Sequence, residues 1–382
     1  MFELSKSQRE IQKAARDFAK GEFDKDLAIE LEKAGDFPVD IWKKSADLGF
    51  IGIHLPEAYS GGGMGMLENV LIQEEFSRKD SSIGSALANA SFALECISEF
   101  GSDEQKEKYI PPVVEGEYCS TGAFAESSYG YNYNEIETSA VKSGTNWLLN
   151  GTKTQVVNGD GAGVLIVLGK TDPAAESSEK GGSLFVVGSE IAGVSAIAEG
   201  RLLGNNLLKR ADVIFKDVSV PESNLIGPEG RGSKQLKQFY DIFRITLAGQ
   251  ALGNALGSYD RVMEYIKNRE QFGRKLAQFH ITQHKIADMA TKIELARLIT
   301  YKAAWSMDNG NLDTTLSSMA KMTAARTAME VGAQTIQLFG GYGYMTEQEV
   351  ERFYRDAKAI ELLAGALDTQ KDNIANSVIG RM

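Results

Sequence analysis

Cysteine, histidine and long apolar runs are scarce in this 382-residue sequence, and each shortage excludes something. The two cysteines, Cys96 and Cys119, imply no disulfide framework and fit a reducing compartment. Three histidines, His54, His280 and His284, are too few for a typical metal centre without much carboxylate help. The HITQH stretch lacks the glutamate of an HExxH site, so no metal is expected. The longest apolar run, VLIVL at 164–168, is far too short to cross a bilayer. The charged N-terminus, MFELSKSQREIQ, lacks the apolar segment of a signal peptide. Basic charge is in deficit too, with 41 Lys and Arg against 52 Asp and Glu for a net charge of −11. That balance repels nucleic acid and anionic membranes, although a local basic cleft for a phosphorylated ligand stays open. A soluble cytoplasmic protein is expected.

Nucleotide-binding and hydrolase motifs are missing as well. There is no GxSxG elbow and no P-loop, and GGGMGM at 61–66 ends in Met66 where a dinucleotide fingerprint needs glycine.

What is present is ordinary globular composition, 43% hydrophobic and 24% charged, in a chain long enough for two or three domains. Residues 1–118 read as an N-terminal helical domain. Ser5 precedes an amphipathic run, FPVDIWKKSADLGF repeats the spacing, SALANASFALECISEFG (85–101) predicts one strongly apolar helix, and Pro111-Pro112 closes the segment. Residues 119–230 turn β-branched and short-run, a central β-barrel or sandwich with a hairpin signal at Asn150-Gly151 and an exposed connection at 173–182. Residues 231–382 are helical again, a C-terminal four-helix bundle. Gly249, Gly253 and Gly257 fall on one face there, pointing to close approach by another helix or by a cofactor. The fold class is α+β, in the order helical, β, helical.

Two segments carry chemistry. NREQFGRKLAQFHITQHKIADM (268–289) reads as a helical run broken at Phe272-Gly273, with Arg269, Arg274 and Lys275 nearby. In QLFGGYGYMTEQEVERFYRD (337–356), Gly340, Gly341 and Gly343 admit a bulky ligand, and Glu351, Arg352, Arg355 and Asp356 can pair on the following helix. Together they suggest a site for a large, flat, anionic cofactor. Taken singly, the first is equally a solvated basic helix end.

At these segments the sequence resembles the acyl-CoA dehydrogenase family of flavoproteins, and the match extends to LPEAYSGGGMG and LNGTKTQVVNG. The resemblance implies FAD, an acyl-CoA substrate, electron-transferring flavoprotein as partner, and a homotetramer built as a dimer of dimers. It places Arg269 at the pyrophosphate of a neighbour's FAD, with Phe272, Gln337, Gly340 and Gly341 across the same interface. Phe124, Ala125 and Tyr131 in AFAESSYGYN, and Gln155 and Val157 in KTQVVN, would flank the flavin. His280 and Gln370 join the cofactor set, while Asp241, Phe243, Arg244, Ala364 and Gly365 would line the substrate channel.

Departures from the family pattern cluster around the ring. Where the family tip reads E-G-T, with glutamate as base, this chain has Ala364-Gly365-Ala366. The alternative base position falls on Phe243. Ala125 replaces a threonine, Tyr131 a serine, Gln155 a tryptophan, Val157 a threonine and His280 a glutamine. The expected reaction therefore uses a displaced base on a cyclic or already unsaturated acyl group. Glu95, one turn after Ser91 on the apolar helix, is the candidate, with Ser91 beside it; Tyr129, Tyr131 and Tyr133 are weaker ones. Burial in an apolar wall would raise such a carboxyl's pKa. The bland alternative has Glu95 facing solvent or a lysine. An enoyl-CoA reductase, a dehydrogenase of carrier-protein-linked acyl groups, and an inactive FAD-binding subunit paired with an active homologue remain as alternatives.

Overall fold

The structure, a computed structural model, describes residues 3–128, 135–175 and 177–380. Helices come first: α1 Lys6–Glu22, α2 Lys25–Ala34, α3 Val39–Asp47, α4 Met66–Lys79, α5 Ser81–Ala88, α6 Leu94–Phe100 and α7 Asp103–Val114. α1 starts where Ser5 and Gln8 cap each other reciprocally, side chain to backbone N–H.

The apolar run 85–101 is not one helix. It breaks between α5 and α6, where Asn89 Nδ2 turns back to the Ser85 carbonyl and Ala93 takes a left-handed φ of 68°. The freed backbone pairs with the next domain instead. Ser120 N–H donates to Ala90 O and Ser120 Oγ donates to Phe92 O, and Ser91 bridges Ser120. Ser91 therefore does not sit a helical turn before Glu95. Pro111 and Pro112 do not close α7 either, because in its last turn each removes just its own donor and Glu115 N–H still reaches Pro111 O.

The middle of the chain is one mixed sheet: β1 Cys119–Ala123, β2 Ser139–Ser143, β3 Asn146–Val157, β4 Ala162–Lys170, β5 Gly182–Gly188, β6 Val194–Ala198, β7 Arg210–Pro221 and β8 Leu225–Ile226. The order is β6-β7-β3-β2-β4-β5-β8, with β1 parallel to β4. Trp147 of β3 and Phe185 of β5 meet in one core with Val213 and Phe215 of β7, so distant strands share a single apolar interior. The β4–β5 connection holds a short helix, α8 Ser178–Gly181. Asn150-Gly151 is not a hairpin turn. It lies inside β3 at a register shift, where Asn150 and Asp217 exchange side-chain bonds across to β7, and the β2–β3 turn falls at Gly144-Thr145.

The last third holds α9 Gly232–Asn268, the hairpin β9 Glu270–Gln271 and β10 Arg274–Lys275, α10 His280–Asp308, α11 Thr314–Phe339, α12 Val350–Leu362 and α13 Leu367–Ile379. α11 packs against α9, α10, α12 and α13. The segment expected as a broken helix at Phe272-Gly273 is this hairpin; both residues have positive φ, which a helix cannot accommodate. α12 is fixed by buried charge: Arg352 Nη2 donates to Asp80 Oδ2 at 2.6 Å, and Asp356 accepts from Ser82 Oγ and Asn205 N–H, each at 2.6 Å. Of the expected pairings within this segment, Glu351–Arg355 forms, at 3.1 Å. Among the described residues no helix is long and apolar enough to cross a membrane.

The glycine stripe of α9 faces α4, so the packing partner is a helix. A Cβ at Gly253 would lie 2.3 Å from Glu74 O, whereas one at Gly249 would stay 3.3 Å from Val70 O. Gly253→Ala is expected to lower stability by about 1–3 kcal/mol despite alanine's better helix propensity, because a backbone carbonyl cannot step aside. Gly249→Ala should cost less, and chemical denaturation of both variants checks the order.

Candidate active site

The site begins with a buried ion pair. Lys153 of β3 is fully buried, and its Nζ donates to Glu126 Oε1 at 2.7 Å and to Phe124 O at 3.2 Å. Glu126 accepts in addition from Glu137 N–H, Thr138 N–H and Thr138 Oγ. Burial pulls the Lys153 ammonium down to about 8 against the pull of Glu126. The pair pins the Phe124-Ala125 loop over the end of β3, where Gln155 takes a left-handed φ of 57° and Thr121 Oγ holds the Val157 carbonyl.

A narrow cleft opens beside this clamp. It is lined by Gly122, Phe124, Ala125, Thr154, Gln155 and Val157 on the sheet side and by Phe92, Tyr240, Phe243, Leu363 and Ala364 on the helical side. The tip bearing Ala364 is held from below. Lys321 Nζ donates to Glu361 O and Gly365 O at 2.6 and 2.7 Å, and Gln370 Nε2 donates to Ala364 O and Gly365 O. Burial, with Arg244 adding to it, brings the Lys321 ammonium down to about 7. Ala364 has a φ of 54° and Gly365 one of 89°. Both places where a base was expected, Ala364 and Phe243, face the cleft without a carboxylate.

Phe92 and Phe243, with ring centroids 4.8 Å apart, also wall a second cavity. Its lining includes His54, Asn69, Gln73, Ser91, Glu95 and Thr246. Glu95 is buried, and Oε1 lies 3.1 Å from His54 Nε2, so its partner is neither solvent nor a lysine. The wall around Glu95 is mixed and not wholly apolar: Phe50, Ile51, Leu87, Phe92 and Phe243 share it with hydrogen-bonding groups that the break at 89–93 and the loop carrying His54 bring to it. Ser91 faces the same cavity although it is off the helix.

A third feature lies at the far end of the helical domain. Arg269, Tyr265, Leu338, Phe339, Gly340, Gly341 and Tyr342 line an open groove of about 560 Å³. The Arg269 guanidinium rests on the Tyr342 ring, 5.6 Å from its centroid, and has no carboxylate partner among the described residues. Phe272 projects from the hairpin tip 94% exposed. Gln337 and His280 are exposed, and the His280 and His284 rings lie 5.8 Å apart, tilted by 42°.

The expected site residues thus fall into separate groups. Phe124, Ala125, Gln155, Val157, Phe243 and Ala364 share the first cleft, and Arg269, Gly340 and Gly341 share the groove. Gln370 lies behind the tip as its support, and Gly365 turns the chain there. Asp241 accepts from Arg244 Nη1 at 2.5 Å and from Thr314 Oγ at 2.6 Å; burial raises its carboxyl above the usual range. Tyr129, Tyr131 and Tyr133 lie outside the described residues. His54 was not singled out beside Glu95, because no spacing rule links a loop residue to a helix 41 positions later. Phe92 and Lys321 were missed as well: one reads as core, the other as a solvated helix face.

Sequence models of the acyl-CoA dehydrogenase family match nearly the whole chain: the N-terminal domain over residues 5–117, the middle domain over 121–218 and the C-terminal domain over 230–379. Among curated proteins, the chain is 36% identical over 378 residues to a mitochondrial short-chain specific acyl-CoA dehydrogenase of Rattus norvegicus, covering 99% of this chain and 91% of that one. It is 34% identical to the caffeyl-CoA reductase-Etf complex subunit CarC of Acetobacterium woodii, covering 98% and 99%. The solved butyryl-CoA dehydrogenase of Megasphaera elsdenii superposes with a TM-score of 0.95 at 31% identity, covering 99% and 100%.

Glu126→Gln keeps the shape of the clamp and removes its charge. The expected loss is about 3–5 kcal/mol at neutral pH, the usual cost of stranding one member of a buried pair. Lys153 holds its proton less tightly folded than unfolded, so the unaltered chain gains stability as pH rises above about 8, while the extra hold that Glu126 gives on that proton, and with it the gap to Glu126→Gln, is gone above that pH. Urea denaturation of both proteins at several pH values should show the gap closing above pH 8.

Proposed function

The chain belongs to the acyl-CoA dehydrogenase family of FAD-dependent oxidoreductases, and from that premise we propose that it dehydrogenates a cyclic or already unsaturated acyl-CoA, with Glu95 as displaced proton acceptor. One observation carries this reading. The two positions where the family resemblance puts a base hold Ala364 and Phe243, while a buried carboxylate oxygen without a partner, Glu95 Oε2, lies in the cavity just behind Phe243.

The residues present fit FAD. At Gly340 and Gly341 a Cβ would meet nothing within 4 Å, leaving open space beside the unpaired guanidinium of Arg269. A guanidinium suits phosphate oxygens, since its planar fork pairs them two at a time. Arg269, Gly340 and Gly341 would hold the phosphate and adenosine end. The Phe124-Ala125 loop and Val157 would face the ring. The exposed Phe272 supports assembly as a homotetramer in which the hairpin reaches a neighbour. FAD, when bound, supplies the hydride acceptor.

The chain's own residues handle the proton. An acyl group with a double bond next to the thioester can lose a proton beyond the α-carbon, because conjugation carries the charge back to the thioester oxygen. Glu95 Oε2 would take that proton while His54 Nε2 holds Oε1 in place. Phe92, Phe124, Phe239, Tyr240 and Phe243 form one aromatic cluster, which keeps water from the path between the two cavities. Similarity to a reductase subunit of an Etf complex favours a second reading, in which the same groups run the reaction reductively. It also supports electron-transferring flavoprotein as the redox partner in either direction.

Saturated straight-chain acyl-CoAs should bind the FAD-loaded protein yet bleach its flavin very slowly. Ala364→Glu restores a carboxylate at a position whose left-handed backbone already carries a side chain, and should raise that bleaching by about 10²–10⁴-fold. Glu95→Gln should abolish the native reaction while leaving the restored one largely intact. Brisk oxidation of butyryl-CoA by the unaltered protein would refute the displaced-base reading.

Arg269→Leu should weaken FAD retention. A charge-assisted bond to phosphate contributes about 1.5–3 kcal/mol, enough to appear as flavin loss during gel filtration. Full retention would mean that Arg269 does not reach the pyrophosphate.

A further inference from the structure

Lys321 of α11 is a buried cation outside the proton chemistry of the cleft. It is fully buried, and among the described residues no carboxylate pairs with it. Its Nζ donates instead to two carbonyls, Glu361 O at 2.6 Å and Gly365 O at 2.7 Å. These carbonyls bracket Ala364. Glu361 O belongs to the last turn of α12, where carbonyls lack partners within the helix and the helix dipole favours a cation. Gly365 O closes the left-handed pair Ala364 and Gly365, with φ of 54° and 89°. An alanine in that region is held by its surroundings and not by its own preference. Gln370 Nε2 adds bonds to Ala364 O and Gly365 O, so these tip carbonyls are taken from below while Leu363 and Ala364 face the cleft.

The charges around Lys321 are engaged with one another. α9 turns Arg244 toward it, paired with Asp241, and α12 turns Glu361, paired with Lys358. α13 supplies the uncharged Gln370, and α10 meets α11 further along through Lys285–Gln334 and Lys292–Glu330. Burial, with Arg244 adding to it, brings the ammonium down to about 7. A lysine that holds its proton less tightly folded than unfolded lowers stability below that pH, and the penalty fades as pH rises toward the ordinary lysine value. Stability is therefore not what this charge supplies. We propose that Lys321 is a positioning residue: its ammonium clamps the carbonyls on both sides of Ala364 and so fixes the Leu363-Ala364 wall against which an acyl-CoA thioester is held. The use of the wall rests on the acyl-CoA reading; the clamp does not. Loss of the proton weakens both bonds, because a charged donor bonds a carbonyl more strongly than a neutral amine does, and the tip loosens.

The test reads tip and ligand separately on the FAD-loaded protein. Hydrogen exchange by mass spectrometry follows the peptide spanning residues 361–367, each rate divided by the intrinsic rate at that pH. In the unaltered protein the ratio should rise about tenfold between about pH 6 and about pH 8.5, with its midpoint near 7. Lys321→Met should exchange fast at both pH values without losing stability in urea. Lys321→Arg, which keeps its charge throughout, should exchange slowly at both. Butyryl-CoA probes the ligand side by isothermal calorimetry at the lower pH, where Lys321→Met should bind about tenfold more weakly than the unaltered protein and Lys321→Arg within about threefold of it. A flat exchange ratio in the unaltered protein, or a step that survives in Lys321→Arg, overturns the clamp. So does a Lys321→Met variant that is merely less stable throughout, with its tip no faster than the rest of the chain. A loosened tip with unchanged butyryl-CoA affinity overturns the positioning role. Failure of the unaltered protein to bind any thioester would sink the acyl-CoA reading and the ligand half of this one, while the exchange step would still uphold the clamp.

Discussion

The Arg352–Asp80 pair, 2.6 Å long and almost wholly buried, fixes the helix that carries the Ala364 tip. Two charges taken out of water cost several kcal/mol each, so such a pair persists only in good geometry; here Arg352 Nη2 also reaches Glu349 Oε2 at 3.3 Å. Asp80 also caps α5 through the Ile83 N–H. One turn further along α12, Asp356 ties Ser82 of α5 to Asn205 of the β-domain, and Arg355 reaches Glu32 of α2. Asp356 is wholly buried, and that burial raises its carboxyl to about 6. The helix that ends in the Ala364 tip is thereby fixed to all three parts of the chain. The cleft between tip and sheet inherits its shape from that junction.

Much of the architecture could be read from residue types alone, because it rests on local or periodic signals. Ser5 and Gln8 act within one turn, and the stripe of Gly249, Gly253 and Gly257 works by simple spacing. The change from helical to β-branched texture near residue 119 reflects which backbone the side chains favour. The failures share a cause as well. Asn150-Gly151 has turn chemistry, yet Asn150 finds Asp217 on a strand 67 residues away, and that contact outweighs the local preference. The run 85–101 has the composition of a single helix, but Ala90 and Phe92 give their carbonyls to Ser120. Phe272-Gly273 marks a break correctly, while the hairpin that fills it depends on two positive φ angles that no periodicity reports.

The candidate site was legible in the same uneven way. Residues that a family pattern fixes, such as Arg269, Gly340 and Ala364, fall where cavities open. His54 does not belong to a pattern of that kind, and it changes the chemistry of Glu95 most. Sequence alone offered an apolar helix with Glu95 in its apolar stretch, for which solvent or a lysine was the bland partner. The fold instead breaks that helix and lays a loop imidazole over the carboxylate.

That break has two consequences that cannot be separated. Backbone taken from the helix at Ala90–Phe92 joins the β-domain to the N-terminal helices, and it swings Phe92 against Phe243 as the wall between the two cavities. The wall leaves the first cleft lined by Ala364, Val157, aromatic rings and the uncharged polar side chains of Thr154 and Gln155, with no carboxylate. Gln73 Oε1, Glu95 Oε2 and His54 Nδ1, which have no partner among the described residues, lie on its other side. On the displaced-base reading, proton transfer is drawn to that side of the wall, where Glu95 is the carboxylate of the lining.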